Sequence, residues 1–461
     1  MPTFPDSLRT DLRALLGEDN LVESGDTLAS LSLDYYWYSP ALRPLLENKR
    51  ADMIARPGTV DELRSLLAAC YTAGVAVTPR GGGTGNYGQC VPIYGGVVVD
   101  FTRLNRIHSV AGGIVRAEPG ARLITIETAA RDAGWELRCY PSTWVKATLG
   151  GFFAGGAGGL GSIRWGGIST GDTVHSITVL TCEAVPRAIR YEGAAAMVAL
   201  RTFGTTGLMI EIEMRLAPKL DYDQLAFSCT DWDKLLTWTD GAARRGDWRK
   251  RVVSQFQWPI PSFFAPLKKH VRADEHLSFI FIERTQTAEV LASATAAGLT
   301  CIYQRPLSDP PKPPFLSDLT YNHTTLWAMK TEPAITYAQA AFAEDYRPQL
   351  AALTARFPDE ILHHLEWMAR DPARGTIGVS GIPLIRYTTP DRFDEIISVT
   401  RSLGIGVGHT HTYHLTATTP EGTAARHALK HDVDPRGLLN PGKMSTFPIN
   451  PFAPAPAKPS P

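Results

Sequence analysis

The sequence predicts an α+β protein with more than one domain, and three observations support this prediction. Helix-like and strand-like patterns alternate over residues 50–218, and two glycine-rich segments interrupt them. The chain has 461 residues, about three times the ~150 that are usual for one domain. Hydrophobic residues make up 44% of the chain, which is enough for sizeable cores and argues against wholesale disorder.

Charge and cysteine usage exclude several classes of protein. The 46 basic and 46 acidic side chains cancel, which argues against a nucleic-acid partner. No apolar run approaches the ~18 residues of a membrane span, and no secretion signal is visible at the start. None of the six cysteines forms a CxxC pair or a zinc-finger spacing. We therefore expect a cytoplasmic protein with reduced thiols, no transmembrane segment and a small-molecule substrate.

The helices and strands of the first half follow from capping and stop signals. Thr59 and Glu62 have the spacing of a capping box, so a helix is expected to Ala73, with Gly74 ending it. A second helix is expected from Leu123 to Ala133, and strands at 174–182 and 208–217.

These patterns divide the chain into five parts. We expect an N-terminal helical segment at 1–49, a first domain at 50–218 and a second at 219–425. A C-terminal segment at 426–445 is expected to return to the first domain. Residues 446–461 are rich in Pro and Ala and are predicted to be a disordered tail.

Both glycine-rich segments contain the pattern G-x-G-x-x-G, at 83–88 and 156–161. No helix is expected to open after either pattern, and no Gly-Lys-Ser/Thr occurs, so the sequence argues against a Rossmann NAD site and a P-loop. Consecutive small residues still let backbone N–H groups converge on phosphate oxygens. The segments are therefore predicted to clamp one pyrophosphate cofactor, with two flexible surface loops as the alternative.

Four motifs make the chain recognisable. Pro79-Arg-Gly-Gly-Gly-Thr-Gly85 resembles the pyrophosphate loop of the vanillyl-alcohol oxidase / p-cresol methylhydroxylase (PCMH) flavoprotein superfamily. Residues 141–159 resemble its second flavin-contacting segment, and residues 203–210 its strand entry near the adenine. Gly437-Leu-Leu-Asn-Pro-Gly-Lys443 resembles the closing motif of its glycolate-oxidase-subunit-D-like (D-2-hydroxy-acid dehydrogenase) branch. The order and spacing of the four motifs also agree with that family.

The resemblance implies bound FAD, a two-part PCMH-type FAD-binding domain and a mixed α/β substrate cap domain. It also implies a set of residues that contact FAD. These are Pro79, Arg80, Gly81, Gly82, Gly83, Thr84, Gly85, Asn86, Gln89, Pro141, Ser142, Thr143, Thr148, Gly150, Gly151, Gly155, Gly156, Gly158, Gly159, Ser162, Gly207, Ile210 and Asn440.

The resemblance further implies that FAD is held without a covalent bond. Some relatives link FAD to a histidine near the position of Thr84, and this segment contains no histidine. Other relatives add a cysteine link just before the second segment. Cys139 lies near that place but is shifted relative to Pro141, so a thioether at Cys139 is the minor alternative to a buried thiol.

The catalytic prediction rests on His409-Thr-His411-Thr-Tyr413-His414. Many D-2-hydroxy-acid relatives carry two histidines seven apart and a later Glu-His-Gly, which bind a metal. This chain lacks that pattern, so no metal is predicted. We expect His411, His414 and Tyr413 beside the flavin ring, where a histidine deprotonates a hydroxyl while a hydride passes to flavin N5. A metal site and ordinary structural histidines are the alternatives.

Three further features leave alternatives open. Arg386 is predicted to clamp a substrate carboxylate, unless it pairs with Glu366. Tyr321-Asn-His323, with Trp327, either lines an aromatic pocket or belongs to the core. The basic and aromatic stretch 244–272 suits a docking face for a membrane or an electron acceptor, but an ordinary solvated helix with a core strand is favoured.

The predicted function is therefore that of an FAD-dependent oxidoreductase acting on a CH–OH group, with a 2-hydroxy-acid-like substrate. The alternatives are an oxidase or dehydrogenase of a sugar, lactone or alcohol, and a flavin-binding electron-transfer subunit without substrate chemistry of its own. The electron acceptor, whether oxygen, a quinone or another carrier, stays open.

Overall fold

The computed structural model describes residues 4–156, 158–170, 172–307, 315–408, 411–415 and 420–452. Its helices are α1 (Asp6–Leu16), α2 (Gly25–Leu31), α3 (Arg43–Leu46), α4 (Val60–Ala73), α5 (Leu123–Asp132), α6 (Leu149–Gly155), α7 (Ser162–Trp165), α8 (Trp232–Arg244), α9 (Thr287–Ala296), α10 (Asn322–Met329), α11 (Arg347–Arg356), α12 (Pro390–Ser402) and α13 (Pro420–Val433).

The strands form four sheets. They are β1 (Leu21–Val22), β2 (Met53–Ala55), β3 (Val77–Arg80), β4 (Val97–Asp100), β5 (Ile107–Ala111), β6 (Ile114–Ala117), β7 (Trp135–Leu137), β8 (Val174–Leu180), β9 (Ala188–Glu192), β10 (Leu208–Pro218), β11 (Tyr222–Cys229), β12 (Lys250–Phe256), β13 (His276–Glu283), β14 (Thr300–Pro306), β15 (Ile335–Tyr337), β16 (Ala340–Ala341), β17 (Ile361–Leu362), β18 (His364–Asp371), β19 (Thr376–Gly381), β20 (Leu384–Arg386) and β21 (Gly406–Val407).

The first sheet has the order β1-β2-β4-β3 and positions the first glycine segment. Strands β2 and β3 both pair parallel with β4, so the segment after Arg80 leaves the carboxyl edge of the sheet. Strand β1 adds an antiparallel edge, which joins the N-terminal segment to this domain. Leu439 forms a parallel bridge with Val77, so the C-terminal segment returns to the same sheet.

Helix α4 confirms its predicted limits. Oγ1 of Thr59 accepts a hydrogen bond from the Glu62 N–H at 3.1 Å, and Gly74 ends the helix with a left-handed φ of 69°. The Glu62 carboxylate accepts from the N–H of Gly58 instead of Thr59, so only half of the capping box forms.

The second sheet is antiparallel, in the order β5-β6-β10-β8-β9, with β7 also paired to β10. Against it lies helix α6, where the sequence predicted only a glycine-rich loop. Oγ1 of Thr148 caps the helix by accepting from Gly151, and Leu149, Phe152 and Phe153 are buried. Their burial outweighs the low helix propensity of glycine. A one-turn helix, α7, also follows Gly161, although none was expected.

The remaining two sheets form the mixed α/β cap. One has eight antiparallel strands in the order β14-β11-β13-β12-β18-β19-β16-β21, and the other has three. In the stretch 244–272, strand β12 is buried throughout, and so are Trp248, Phe263 and Phe264. The core strand of the favoured interpretation is confirmed, but the described residues 245–272 contain no α-helix, because α8 ends at Arg244.

The last described residues of the chain pack against the rest of the protein. Phe447 is buried, and the ring of Phe452 stacks on Tyr94 with centroids 5.7 Å apart. The prediction of a disordered tail is therefore wrong for 446–452, because these two aromatic side chains find apolar partners. Residues 453–461 lie outside the described residues. Within the described parts of the chain, no helix combines the length and apolar character needed to cross a membrane.

Because His363 is buried, we expect the folded protein to lose stability in acid. Burial lowers the pKa of His363 to about 4, while an unfolded histidine has its usual pKa of about 6.5. Below pH 6.5 the imidazole of His363 binds a proton in the unfolded chain but not in the folded chain, so the free energy of unfolding falls until about pH 4. We expect this group to lower the free energy of unfolding by about 2 kcal/mol between pH 7.5 and 5.

Urea unfolding of wild type and His363→Gln at both pH values measures this effect. Glutamine keeps a partner for Oγ1 of Thr354, which lies 2.8 Å from Nε2 of His363. The variant should lose less stability in acid than wild type. Equal losses in the two proteins would contradict the assignment.

Candidate cofactor and substrate cavity

A cavity of about 920 Å³ lies between the first domain and the cap. Its lining includes the first glycine segment, helix α6 and its preceding loop, and residues of α10, β18 and β19. Ligand cavities in proteins usually measure roughly 300–1,000 Å³, so this one is at the upper end of the range. Its size and its position between two domains suit an extended ligand.

The first glycine segment presents free donors to the cavity. Within the described residues, none of the backbone N–H groups from Gly81 to Asn86 donates a hydrogen bond. Gly83 has a φ of 62°, which turns successive peptides as in an anion-binding nest. Unpaired backbone donors that line a cavity need an acceptor, and phosphate oxygens satisfy that need.

The second glycine-rich segment packs directly on the first. A Cβ atom added to Gly81 would overlap the side chain of Thr148, and one added to Gly82 would overlap the carbonyl oxygen of Lys146. Oγ1 of Thr143 and Oγ1 of Thr84 lie 3.3 Å apart across the same contact. The two segments thus form one cradle, and its donors fit the pyrophosphate of FAD.

Most of the predicted FAD residues line this cavity. Those in its wall are Pro79, Arg80, Gly81, Gly82, Gly83, Thr84, Gly85, Asn86, Gln89, Pro141, Ser142, Thr143, Thr148, Gly150, Gly151, Gly155, Gly156, Gly158 and Gly207. Four others stand behind the wall: Gly159, Ser162, Ile210 and Asn440. The amide of Asn440, for example, donates to the carbonyls of Gln89 and Phe203, at 2.8 and 2.7 Å. It supports two lining segments from outside the cavity.

The histidines predicted as catalytic do not line the cavity. His411 is buried between Oγ of Ser39 at 2.6 Å and the carbonyl oxygen of Tyr337 at 2.7 Å. His414 lies 3.0 Å from the carbonyl oxygen of Gly442, and the Tyr413 ring lies under the Lys443 ammonium. This placement favours the structural alternative, because the chain after β21 turns toward the N-terminal segment. His409 lies outside the described residues.

Arg386 does not line the cavity either. Its guanidinium pairs with the carboxylate of Glu332 at 2.8 Å and donates to the carbonyl oxygen of Asp359. The predicted role as a clamp for a substrate carboxylate has no support from this position. The alternative partner was Glu366, which lies elsewhere, since strand β20 pairs with β15 and β17 and not with β18.

The cap wall of the cavity holds a different group of polar side chains. Asn322 and His323 line it from the first turn of α10, Asp318 and Tyr321 line it from the segment just before that helix, and Trp327 of α10 does not line it. Nδ1 of His323 is buried, has no hydrogen-bond partner in the described structure, and lies 3.9 Å from Oδ1 of Asp318. Its other ring nitrogen, Nε2, is therefore the one available to a ligand.

The burial of this wall shifts two pKa values in opposite directions. Loss of hydration lowers the pKa of His323 to about 4, so its imidazole is neutral at physiological pH. Burial raises the pKa of Asp318 to about 6. A neutral imidazole in a cavity wall is able to accept a proton from a bound hydroxyl.

Glu366 is the second carboxylate of the cap wall. Its oxygens accept hydrogen bonds from Oγ of Ser254 at 2.5 Å and from the N–H of Tyr321 at 3.0 Å, and Nε2 of His364 lies 2.7 Å away. The register of β12 and β18 places Ser254 opposite Glu366. The sequence did not indicate the contacts of Glu366 with Ser254 and Tyr321, because those two residues lie in distant segments, whereas His364 is only two residues away on β18.

Cys139 is unsuited to a thioether with FAD. It is fully buried, does not line the cavity, and its Sγ lies 3.1 Å from Oγ of Ser162. Burial also raises the pKa of its thiol to about 11, which suppresses the reactive thiolate. Among the described residues, no three His, Cys, Asp or Glu side chains are grouped closely enough to hold a metal ion.

Two buried charged residues, Asp34 and Lys443, anchor the first glycine segment from behind. Oδ1 of Asp34 accepts from the N–H groups of Tyr36 and Gly88, and the ammonium of Lys443 donates to the carbonyl of Gly88. Burial raises the pKa of Asp34 to about 6 and lowers that of Lys443 to about 7, although each group counteracts the other's shift. The N-terminal and C-terminal segments thus both form hydrogen bonds with Gly88.

Comparisons with known proteins agree with this geometry. Residues 51–184 match the family model described as "FAD binding domain". An uncharacterised FAD-linked oxidoreductase of Mycobacterium tuberculosis is 29% identical over 197 residues, which cover 40% of this chain and 41% of that relative. A D-2-hydroxyglutarate dehydrogenase of Xanthomonas citri pv. viticola is 25% identical over 435 residues, covering 85% of this chain and 88% of the relative.

A solved structure extends the likeness to the whole fold. An alkyldihydroxyacetonephosphate synthase structure is 15% identical, with a TM-score of 0.70, and covers 96% of this chain and 87% of that one. At this identity the likeness concerns the fold alone. Residues 51–184 therefore match an FAD binding domain, and the chain as a whole has the fold of that solved structure.

Proposed function

We propose that this chain is an FAD-dependent oxidoreductase that converts a CH–OH group to a carbonyl. The observation that carries the proposal is the shared cavity. Residues 81–86 of the FAD cradle line one side of the cavity, and the proton-accepting side chain of His323 lines the other side. A substrate bound between them would meet both the cofactor and a base.

The proposed reaction consists of two transfers, a hydride to the cofactor and a proton to the cap. Bound FAD would supply the acceptor for the hydride of the substrate carbon. Nε2 of His323 takes the hydroxyl proton, and the C–O bond becomes C=O. Tyr321 holds the cap to the second glycine-rich segment, since its hydroxyl donates to the carbonyl oxygen of Gly159 at 2.6 Å. Oxygen, a quinone or another carrier would serve as the final electron acceptor.

Two substrate classes agree with this reaction, a 2-hydroxy acid and a hydroxyl compound without a carboxylate. The name of the Xanthomonas relative supports a 2-hydroxy acid. The position of Arg386 supports the second class, a sugar, lactone or alcohol without a carboxylate, since its guanidinium is already paired with Glu332. We place the protein in the cytoplasm, where the described free thiols, four of them buried, would stay reduced.

The visible absorption spectrum of the purified protein, before and after acid precipitation, tests the cofactor assignment. We expect flavin bands near ~370 and ~450 nm that move into the supernatant, because position 84 holds a threonine instead of a histidine and Cys139 does not line the cavity. Anaerobic bleaching of the ~450 nm band by a hydroxyl compound then tests the reaction. A colourless protein that fails to take up added FAD would overturn the proposal.

Substitution of Gly82 by alanine is expected to weaken FAD binding by about 10- to 100-fold, from the ~1–3 kcal/mol that overpacking costs. The new Cβ would overlap the carbonyl oxygen of Lys146, and backbone moves aside less easily than a side chain. Titration of the apoprotein with FAD measures the change. Gly241→Ala is the control, since that Cβ meets nothing within 4 Å. Equal FAD affinity in the two variants would contradict the cradle.

A further inference from the structure

The charges around the cavity are separated by sign. Among the cavity-lining residues that the structure describes, the cationic side chains are Arg80, Lys146 and Arg201, and all three belong to the FAD-binding domain. Arg80 donates to the carbonyl of Leu33 and is turned toward Cys90. The side chain of Arg201 lies against Gly156 of the second glycine-rich segment. Positive charge is therefore concentrated where the pyrophosphate would lie.

The cap side of the same cavity carries the opposite charge. Its ionisable side chains in the described lining include the carboxyl groups of Asp318 and Glu366, and the imidazole of His323, which is neutral above pH 5. Both oxygens of Glu366 already accept hydrogen bonds from the protein. This carboxyl group therefore has no hydrogen to donate to a substrate. A substrate carboxylate would meet like charge here.

The rest of the cap wall is apolar or neutral. Phe315, Leu326, Met368 and Ile382 supply apolar surface, while Asn322 and Ser380 supply neutral hydrogen-bonding groups. Such a wall suits a substrate with an apolar body and a hydroxyl group.

We propose that the substrate of this cavity is an uncharged alcohol, without a carboxylate next to the reacting CH–OH group. The inference rests on the proposed oxidoreductase function and narrows its substrate class. It separates this chain from an enzyme for 2-hydroxy acids, because the cap wall holds two carboxyl groups where such an acid would need a cation. The expected discrimination against a carboxylate is about 10- to 100-fold in affinity, from like charges ~6 Å apart at the protein's effective dielectric constant.

The test uses the FAD-loaded protein and pairs of probes that differ only at the carboxylate. Both enantiomers of mandelate are compared with those of 1-phenyl-1,2-ethanediol, and lactate with 1,2-propanediol. Binding is measured from the perturbed flavin spectrum at pH 8, where Asp318 is ionised, and reduction from anaerobic bleaching. Asp318→Asn should tighten acid binding by about tenfold and leave diol binding within about twofold. Glu344→Gln, at an exposed position of the cap, is the matched control.

Each outcome decides between the two proposals. Tighter binding of the diols, with reduction of the flavin, supports both. Tighter binding of the diols without reduction supports the inference and counts against the proposed oxidation. Tighter binding and reduction by the acids overturns the inference and leaves the oxidoreductase proposal standing. If no probe perturbs the flavin, or if Asp318→Asn leaves the acid-to-diol ratio unchanged, the inference fails.

Discussion

Replacing His323 by asparagine is expected to slow reduction of the bound flavin by its substrate by a factor of ~10²–10⁴, which is the usual contribution of a general base. His323 lines the cavity, and burial lowers its pKa to about 4, so it enters the reaction as a neutral imidazole. Asparagine keeps a polar side chain of similar size but accepts no proton at this pH. The substrate would then have to release its hydroxyl proton without a positioned acceptor.

Anaerobic rapid mixing, followed at ~450 nm, measures this rate. The FAD content and the thermal midpoint of the variant should match those of wild type, which separates a chemical role from a structural one. His270→Asn is the control, because His270 is exposed on the cap and does not line the cavity. His323 itself stays unprotonated between pH 8 and about 5, so any change of the wild-type rate in this range should follow Asp318, whose pKa is about 6. An unchanged rate in His323→Asn would remove this residue from the mechanism.

Replacing Lys443 by methionine is expected to destabilise the protein by about 1–3 kcal/mol, the cost of leaving a buried hydrogen-bonding group without its partner. Lys443 is fully buried, and its ammonium donates to the carbonyl of Gly88. Its loss leaves that carbonyl without its donor and removes one of the two positive charges, Lys443 and Arg80, that act on buried Asp34. We expect the variant to lose FAD as well, because Gly88 directly follows the segment that lines the cavity.

Urea unfolding, followed by circular dichroism and flavin fluorescence, measures both effects. Lys268→Met is the control, because Lys268 is exposed and surface changes usually stay within about 0.5 kcal/mol. The double variant Asp34→Asn, Lys443→Met should be less destabilised than the sum of the single variants, since the buried charge of Asp34 is gone. A loss below about 1 kcal/mol in Lys443→Met would show that Lys443 does not hold this segment.

The local elements of the FAD-binding domain were largely readable from the sequence. Thr59 and Gly74 marked the ends of α4, because capping and left-handed stops act within a few residues. The first glycine segment was equally readable, since a run of glycines after a strand has few other uses. Helix α6 was missed, because its stability comes from burying Phe152 and Phe153 and not from the propensity of its glycines.

The polar wall of the cavity on the cap side depended on tertiary structure. The histidines 411 and 414 stood out in the sequence, yet the first is held by Ser39 and Tyr337 and neither lines the cavity. The polar lining of the cap includes instead Asp318, just before α10, His323 in its first turn, and Glu366 on β18.

The capped helix and the two glycine-rich segments were readable in the sequence, because each depends on neighbours within one short segment, and the resemblance of those segments to a flavoprotein family indicated the cofactor. The tertiary structure was needed to show which polar side chains line the cavity on the side of the cap. The lining of the cavity depends on which distant segments pack together in the cap, and the pKa values depend on how deeply those residues are buried. Neither property can be read from the spacing of residues within one segment.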